Sequence, residues 1–276
     1  MLSALINERK YLIQVTDVYF SYPTPEGRAF PALDGVSLTI LEGESLGLMG
    51  ANSSGKTTLA RCLNALLVPD QGRVLVDGLD TKDPAHHLAI RQKVGMVFQN
   101  PDNQIVSATV EREIAFGLEN LGIPYEEMHQ RVEEALEQFD LVRYRQHPPH
   151  LLSGGEKQRL ALAAVMAMRP KYLILDEPTS LLDPQGREAV LALIQGLHQR
   201  EGQSDRRVST LLISQYPEEL LSVDRLIVMD KGRIVMEGPP EQVFRQVERL
   251  HELGLEAPVE FELERLFERY GIEWHP

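Results

Sequence analysis

The stretch Ser45-Leu-Gly-Leu-Met-Gly50-Ala-Asn-Ser-Ser-Gly55-Lys56-Thr57-Thr58-Leu59 decides the fold of this 276-residue chain. Residues 50–57 match G-x-x-x-x-G-K-[S/T], the pattern of a loop that wraps a chain of phosphate groups. Apolar residues before the loop indicate a buried strand, and the residues after it have helical spacing. This helix is expected to carry one apolar face made of Leu59, Cys62, Leu63, Leu66 and Leu67. Strand, loop and helix together favour phosphate binding over an ordinary Gly/Ser turn.

Each residue type in the loop has a physical reason to be there. Glycine lets successive backbone N–H groups point at one anion. The N-terminus of the helix that begins near Lys56 adds about half a positive charge. Lys56 can reach the β- and γ-phosphates, and the Thr57 hydroxyl can hold Mg²⁺. The loop therefore predicts binding of a nucleotide together with magnesium.

Length and composition limit the possible classes of protein. The chain is long enough for one large α/β domain with a small appendage. Its net charge, 28 − 41 = −13, argues against a nucleic-acid surface as the main partner. We expect the only cysteine, Cys62, to be a buried structural thiol, in keeping with a reducing compartment. Neither a signal peptide nor an apolar run of the roughly 20 residues needed to cross a bilayer is expected.

The rest of the chain alternates predicted strands and helices. Strands are expected over 11–22, 36–40, 73–77, 94–98, 172–175 and 210–214, and a hairpin over 226–229 and 233–236. Helical spacing runs as one segment from Thr109 to about Phe139. After Pro239, two amphipathic helices are expected, broken at Gly254 and Pro258. This order predicts an α/β core with helices added at its C-terminus.

The stretch Leu152-Ser-Gly-Gly-Glu-Lys-Gln-Arg159 opens a predicted helix that ends before Pro170. Ser153 and Glu156 have the spacing of a capping box, which would begin a helix of no particular function. A capping box does not require two glycines in the first turn, where each weakens the helix by roughly 1 kcal/mol. Glycines there let a backbone approach an anion closely. The stretch is therefore a candidate for a second phosphate-binding element.

Two adjacent acids follow the predicted strand over 172–175. Asp176 and Glu177 stand at the carboxyl end of this strand, where α/β sheets bind ligands. The pairing suggests that Asp176 lies near a metal ion and Glu177 near an attacking water. A generic pair of acids at a strand end is the alternative. Asp183, just before Pro184, is expected at least to cap the next helix.

Taken in order, these motifs resemble those of the ATP-binding subunit of an ABC transporter, over roughly residues 11–244. The resemblance rests on the phosphate loop, Gln99, the Leu152–Glu156 stretch, the acid pair and Ser180-Leu-Leu-Asp183. Finer detail is similar to the ATPases of energy-coupling factor (ECF) transporters, which import vitamins, cobalt or nickel. That detail lies in Phe98-Gln-Asn-Pro-Asp-Asn-Gln104, Ala115-Phe-Gly-Leu-Glu-Asn120 and Thr179-Ser-Leu-Leu-Asp-Pro184.

The resemblance implies a fold and a domain organisation. The fold is a P-loop NTPase (RecA-like) core with an antiparallel β subdomain, an inserted α-helical subdomain and a short C-terminal helical extension. The ATP-binding domain would span residues 1–241, with the helical subdomain at about 100–168, and the extension would span 242–276. The protein would work at the cytoplasmic face of the membrane, with a second ATPase, a transmembrane subunit and a substrate-binding membrane subunit as partners, and without nucleic acid.

The resemblance also implies roles for individual residues. Tyr22 would stack on adenine, Glu177 would be the general base, and Thr57, Gln99 and, through water, Asp176 would hold Mg²⁺. Ser153 and Gly155 would contact the γ-phosphate of an ATP held by the other ATPase, and Asp183 would communicate across the dimer. Lys56 and Gln215 would join Glu177 in catalysis. The complete implied ATP site comprises Tyr22, Gly50, Asn52, Ser53, Ser54, Gly55, Lys56, Thr57, Thr58, Gln99, Ser153, Gly154, Gly155 and Glu156.

Two positions depart from the family pattern. Ser53 stands where glycine is usual, so a positive φ there would bring strain. Gln215 stands where histidine is usual, and an amide can donate a hydrogen bond but cannot carry a positive charge or relay a proton. We therefore hypothesise slower hydrolysis at this chain's own site and pairing with a second, non-identical ATPase that keeps the histidine.

Within the transporter ATPases, the ATPase of another ABC importer class is the alternative to an ECF ATPase. Two other functional classes compete with the transporter ATPase. A soluble ABC ATPase acting on ribosomes or DNA is disfavoured by the charge of −13, by the single copy of each motif and by the lack of a long coiled-coil insertion. A small-molecule kinase built on the same loop would have no use for the Ser153–Glu156 element. Co-purification with a hydrophobic membrane protein would separate the first class from both.

Overall fold

The computed structural model describes residues 11–23, 29–198 and 207–270. Within these residues the strands form an antiparallel sheet of order β2-β1-β4-β5 and a six-stranded sheet of order β10-β9-β3-β8-β7-β6. The strands are β1 (Tyr11–Pro23), β2 (Ala29–Leu41), β3 (Ser45–Gly50), β4 (Gln71–Val76), β5 (Leu79–Asp80), β6 (Val94–Val97), β7 (Tyr172–Asp176), β8 (Ser209–Ile213), β9 (Arg225–Asp230) and β10 (Arg233–Gly238).

The helices of the described residues surround these sheets. They are α1 (Lys56–Leu63), α2 (His87–Lys93), α3 (Val110–Asn120), α4 (Tyr125–Gln138), α5 (Gly154–Ala167), α6 (Pro184–His198), α7 (Pro240–Phe244), α8 (Val247–Glu252) and α9 (Val259–Tyr270). The fold is thus the predicted P-loop NTPase core, with an antiparallel sheet, an inserted group of helices and a helical C-terminal extension.

The larger sheet places the functional loops at one edge. β3 lies between β8 and β9 and runs parallel to both, with Leu48 beside Ile213 and Ile227. β7 runs parallel to β8, and Asp176 lies beside Ile213. All residues of β7 and β8 are buried, as expected for parallel strands that are covered on both faces. The carboxyl ends of β3, β7 and β8 therefore meet, which brings together residues far apart in sequence.

Two apolar clusters hold the molecule together. One lies between the antiparallel sheet, α1 and one face of the larger sheet, and the other joins the opposite face to α3–α6 and the C-terminal helices. Cys62 is fully buried in the first cluster. Burial raises the pKa of its thiol to about 12, with a smaller contribution from the charge of Asp70. The prediction of a buried structural thiol is confirmed.

The helix after the phosphate loop is shorter than predicted. It ends at Leu63, because Ala65 adopts a left-handed conformation with φ 56° and Asn64 accepts a hydrogen bond from the amide of Leu66. Leu66 is 42% exposed and does not continue the apolar face. The expectation that Leu66 and Leu67 belong to this helix was wrong.

The segment from Thr109 to Phe139 is two helices rather than one. α3 and α4 are separated at Gly122, which has φ 66°, and at Pro124, which lacks the N–H that a continuing helix needs. The side chain of Thr109 caps the first helix by accepting a hydrogen bond from the amide of Arg112. The break lets α4 fold back so that both helices pack on α5.

The C-terminal helices also differ from the prediction in number. The first expected helix is split into α7 and α8, and α9 follows Gly254 and Pro258 as predicted. The fully buried Phe244 packs on Phe261, with ring centroids 5.8 Å apart. The helical spacing of this extension allowed either a contact between subunits of a dimer or a cap on the core, and these contacts support the cap on the core. The first ten residues and residues 271–276 lie outside the described residues.

Candidate nucleotide-binding site

The phosphate loop follows β3 and leads into α1, as predicted. Gly55 has φ 106°, and a Cβ atom there would lie 2.5 Å from the carbonyl oxygen of Ala32, so only glycine fits. Ser53 has φ 65°, a left-handed conformation that explains why the family usually has glycine at this position. A non-glycine residue in this conformation stores strain on the order of 1 kcal/mol. The loop therefore keeps its shape despite the serine.

Lys56 places its ammonium group inside the loop. Its side chain is buried, and Nζ donates hydrogen bonds to the carbonyl oxygens of Gly50 at 2.7 Å and Ala51 at 3.0 Å. Burial lowers the pKa of Lys56, against the opposing effect of the nearby Glu177 and Asp176 charges. A cation held here is suited to compensate the negative charge of phosphates bound in the loop.

The acid pair stands at the end of β7, facing the loop. The hydroxyl of Thr57 donates a hydrogen bond to Oδ1 of Asp176 at 3.1 Å. The pKa of Asp176 is raised above its usual value, mainly because the carboxyl group is buried. The hydrogen bond from Thr57 opposes this shift, and the charge of Glu177 adds to it. A hydroxyl beside a carboxylate forms an all-oxygen donor set, which suits Mg²⁺ because that ion takes one or two protein ligands in addition to phosphate oxygens. These two residues fit the predicted metal site.

Glu177 is held by two glutamine side chains. Nε2 of Gln215 lies 2.8 Å from both carboxylate oxygens, and Nε2 of Gln99 donates to Oε2 at 2.9 Å. The backbone of Glu177 is also unusual, with φ 49° and an amide that donates to the carbonyl of Ile213. The carboxylate is thus fixed from two loops, and the strained backbone directs it toward the phosphate loop.

The side chains around the loop form one open pocket. Asn52 through Thr58, together with Gln99, Glu177 and Gln215, line one part of it, and Tyr22 lines another. The hydroxyl of Tyr22 lies 3.3 Å from that of Thr58. Phe30 and Ala32 also line the pocket and were not predicted to do so. No signal in the sequence pointed to Phe30, because the second strand was predicted only over 36–40, whereas β2 begins at Ala29 and makes Phe30 the register partner of Tyr22.

The Ser153–Glu156 element lies apart from this pocket. Ser153 Oγ accepts from the amide of Glu156, and Glu156 Oε2 accepts from the amide of Ser153, so the predicted capping box is present. Among the described residues, those that line the pocket do not include this element. Asp183 is exposed and accepts a hydrogen bond from the amide of Gly186, which confirms that it caps α6. A single chain therefore does not join its two candidate phosphate-binding elements.

Comparison with known proteins identifies the family. Residues 33–180 match the ABC transporter family model. The energy-coupling factor transporter ATP-binding protein EcfA1 of Caldanaerobacter subterraneus subsp. tengcongensis is 46% identical over 95% of this chain and 93% of its own length. That of Symbiobacterium thermophilum is 51% identical over 82% of this chain and 77% of its own length.

Solved structures agree with the sequence comparison. CbiO1 of Clostridium perfringens, part of the ABC transporter complex CbiONQ, has a TM-score of 0.76 and 32% identity, covering 92% of this chain and 99% of its own. The ATP-binding cassette MJ0796, a dimer bound to ADP and phosphate, has a TM-score of 0.74 and 28% identity, covering 83% and 99%. The chain therefore belongs to the family of ABC transporter ATP-binding proteins, and within it to those of energy-coupling factor transporters.

Proposed function

We propose that this chain binds and hydrolyses ATP to power substrate import by an ECF-type transporter in the membrane. The observation that carries the proposal is the pocket in which the phosphate loop meets Glu177, Gln99 and Gln215. We also propose that hydrolysis needs a dimer, which the separate position of the Ser153–Glu156 element supports. In that dimer, Ser153, Gly155 and their neighbours would contact the γ-phosphate of an ATP held by the other subunit.

The proposed roles of individual residues rest on the family resemblance, and the geometry of the pocket supports them. The Lys56 ammonium group and the backbone amides of the loop bind the β- and γ-phosphates, and Tyr22 offers its ring to the adenine. Thr57 and Asp176 would hold Mg²⁺, with Gln99 as a further ligand, and the ion would neutralise charge on the phosphates. Glu177 accepts a proton from the attacking water, and Gln215 and Gln99 orient its carboxylate.

We further propose how the chain is placed in the assembly. No helix among residues 11–23, 29–198 and 207–270 is long and apolar enough to span a bilayer. The chain would bind the cytoplasmic face through a transmembrane subunit held near Gln99 and the following helices, and a membrane subunit would select the substrate.

Asp183 would communicate between the two ATPases. The proposed domains remain residues 1–241, including the helical part at about 100–168, and the extension 242–276.

Co-purification tests the transporter assignment. The tagged full-length chain should be isolated from detergent-solubilised membranes of cells that produce it from its native operon, and its partners identified by mass spectrometry. We expect an integral membrane protein and an ABC ATPase, either a second copy of this chain or a homologue. Recovery with ribosomes or DNA, and without a membrane protein, would contradict the proposal and favour a non-transport ABC ATPase.

The Gln215→His substitution tests the handicap proposed for this site. We expect turnover of the assembled complex to rise, by about tenfold, because an imidazole can carry a positive charge and relay a proton whereas an amide cannot. Phosphate release at saturating ATP measures the effect, and Gln138→His, at the end of α4 and outside the residues that line the pocket, serves as the control for an added histidine. Unchanged turnover of the complex would refute the idea that the glutamine slows this site.

A further inference from the structure

A buried carboxylate outside the pocket links the two loops that hold the reacting groups. Glu219 lies in the short helical turn Pro217–Leu220 that follows β8, and it is 7% exposed. Its Oε1 accepts a hydrogen bond from the hydroxyl of Thr179, and its Oε2 accepts one from the hydroxyl of Ser214, each at 2.7 Å. Thr179 comes two residues after Glu177, and Ser214 comes directly before Gln215. One side chain thus bridges the segment of the general base and the segment of the glutamine that contacts it.

An arginine from a third segment completes this cluster. Arg187 Nε lies 3.8 Å from Oε1 of Glu219, and the Arg187 guanidinium lies 3.6 Å from the ring centroid of Tyr216. The amide of Arg187 donates to the carbonyl of Asp183, so the arginine belongs to the first turn of α6. Its buried Nε has no hydrogen bond within the part of the chain that the structure describes. Charge and ring stacking therefore attach α6 to the Gln215 segment.

We propose that Glu219 is a positioning residue for ATP hydrolysis, which holds Gln215 against Glu177 and connects both to Asp183. This inference rests on the proposed function. Gln215 is exposed, and its Nε2 donates to Oδ1 of Asn52 at 3.2 Å as well as to Glu177. These bonds hold the amide but not the backbone from which it extends, so the backbone needs an anchor of its own. The anchor is its neighbour Ser214, whose Oγ donates to Glu219 and accepts from the amide of Tyr216 at 3.0 Å. That anchor keeps Nε2 of Gln215 at 2.8 Å from Glu177.

The charge of Glu219 is needed for this arrangement. A carboxylate only accepts hydrogen bonds, so the hydroxyls of Thr179 and Ser214 must both donate to it, which fixes their orientation. A glutamine in its place would present an NH₂ group to one of these hydroxyls, whose proton would then lose its acceptor. Arg187 would at the same time lose its buried counter-charge. The shape of the cluster would survive, while the positions of Ser214 and Gln215 would loosen.

The test compares Glu219→Gln with Glu218→Gln in the full-length chain. The two substitutions remove the same charge from adjacent positions, and Glu218 is exposed. We expect Glu219→Gln to lower kcat by about tenfold, the effect of one charge-assisted hydrogen bond. The Kd for a fluorescent ATP analogue should stay within about twofold of the wild type, because Glu219 does not line the pocket. Glu218→Gln should match the wild type in both.

A double-substitution cycle separates positioning from general destabilisation. If Glu219 acts through Gln215, adding Glu219→Gln to Gln215→Ala should change kcat by less than about twofold. Ser214→Ala removes the other partner of the Ser214–Glu219 hydrogen bond, so it should also lower kcat and should also have little further effect when added to Gln215→Ala. It replaces Glu219→Gln in the test if that variant does not fold. Unchanged kcat, a loss shared with ATP affinity, or full additivity with Gln215→Ala would overturn the inference. Absence of Glu177-dependent hydrolysis in the assembled wild-type complex would instead overturn the proposed function, and this inference with it.

Discussion

Replacing Glu177 by glutamine is expected to lower the rate of ATP hydrolysis by about 10²–10⁴-fold, the usual contribution of a general base. The amide cannot accept the proton of the attacking water, yet it has the size of the carboxylate and can remain between Gln99 and Gln215. The phosphate loop does not change. ATP binding should therefore survive the substitution, and the defect should lie in kcat.

Two measurements on the purified chain test this expectation. Steady-state phosphate release gives kcat, and equilibrium binding of a fluorescent ATP analogue gives the Kd. Glu188→Gln is the matched control, because Glu188 is exposed on α6 and does not line the pocket. Hydrolysis at the wild-type rate in Glu177→Gln would show that another group is the base. Binding of ATP with little turnover even in the wild type would instead point to a missing partner ATPase.

The second large effect is expected for Gly155→Ala, which should lower turnover by about 10²–10³-fold, as for the loss of one backbone donor to a transition state. Among the described residues of a single chain, the nearest atom to a Cβ at this position would be Cα of Gly186, at 3.5 Å, which is an ordinary contact. Folding and ATP binding should therefore be unaffected. The loss would arise only when the added methyl group meets the ATP of the other subunit in the closed dimer.

Gly196→Ala in α6 is the matched control, since a Cβ there would have no neighbour within 4 Å among the residues that the structure describes. For a dimer of two copies, mixing provides a sharper test. Chains with Gly155→Ala, mixed with chains with Lys56→Ala, form hybrids in which one site combines an intact phosphate loop with an intact Gly155. Turnover should recover on mixing. Full activity of Gly155→Ala alone would contradict the role of this glycine.

The parts of the site that depend on local sequence were predictable. The loop from Gly50 to Thr57, the capping box at Ser153 and the acid pair after β7 each follow from short-range geometry, so spacing alone located them. The end of α1 was missed because apolar periodicity continues through Leu67 while Ala65 turns the chain in a left-handed conformation. The break at Gly122 and Pro124 did have a local signal, because glycine and proline both end helices, although one helical segment was predicted through them.

Other features depend on contacts that no local pattern contains. Phe30 joins the pocket through its register with Tyr22, and that register became known only with the antiparallel sheet. In the sequence, Glu219 is simply one of two adjacent acidic residues, Glu218 and Glu219, after Pro217. Its role as a bridge depends on burial and on hydroxyls from two other segments. The residue types were visible in the sequence, but their partners were not.

The position of β3 in the larger sheet has a consequence for synthesis of the protein. Its two neighbours, β8 and β9, begin at Ser209 and Arg225, long after β3 ends at Gly50. A ribosome that has made the phosphate loop must therefore complete most of the chain before that loop's strand can pair on either side. Such long-range pairing slows folding and leaves apolar strands exposed in the meantime. The nascent chain consequently acquires its nucleotide site late, after β9 has emerged.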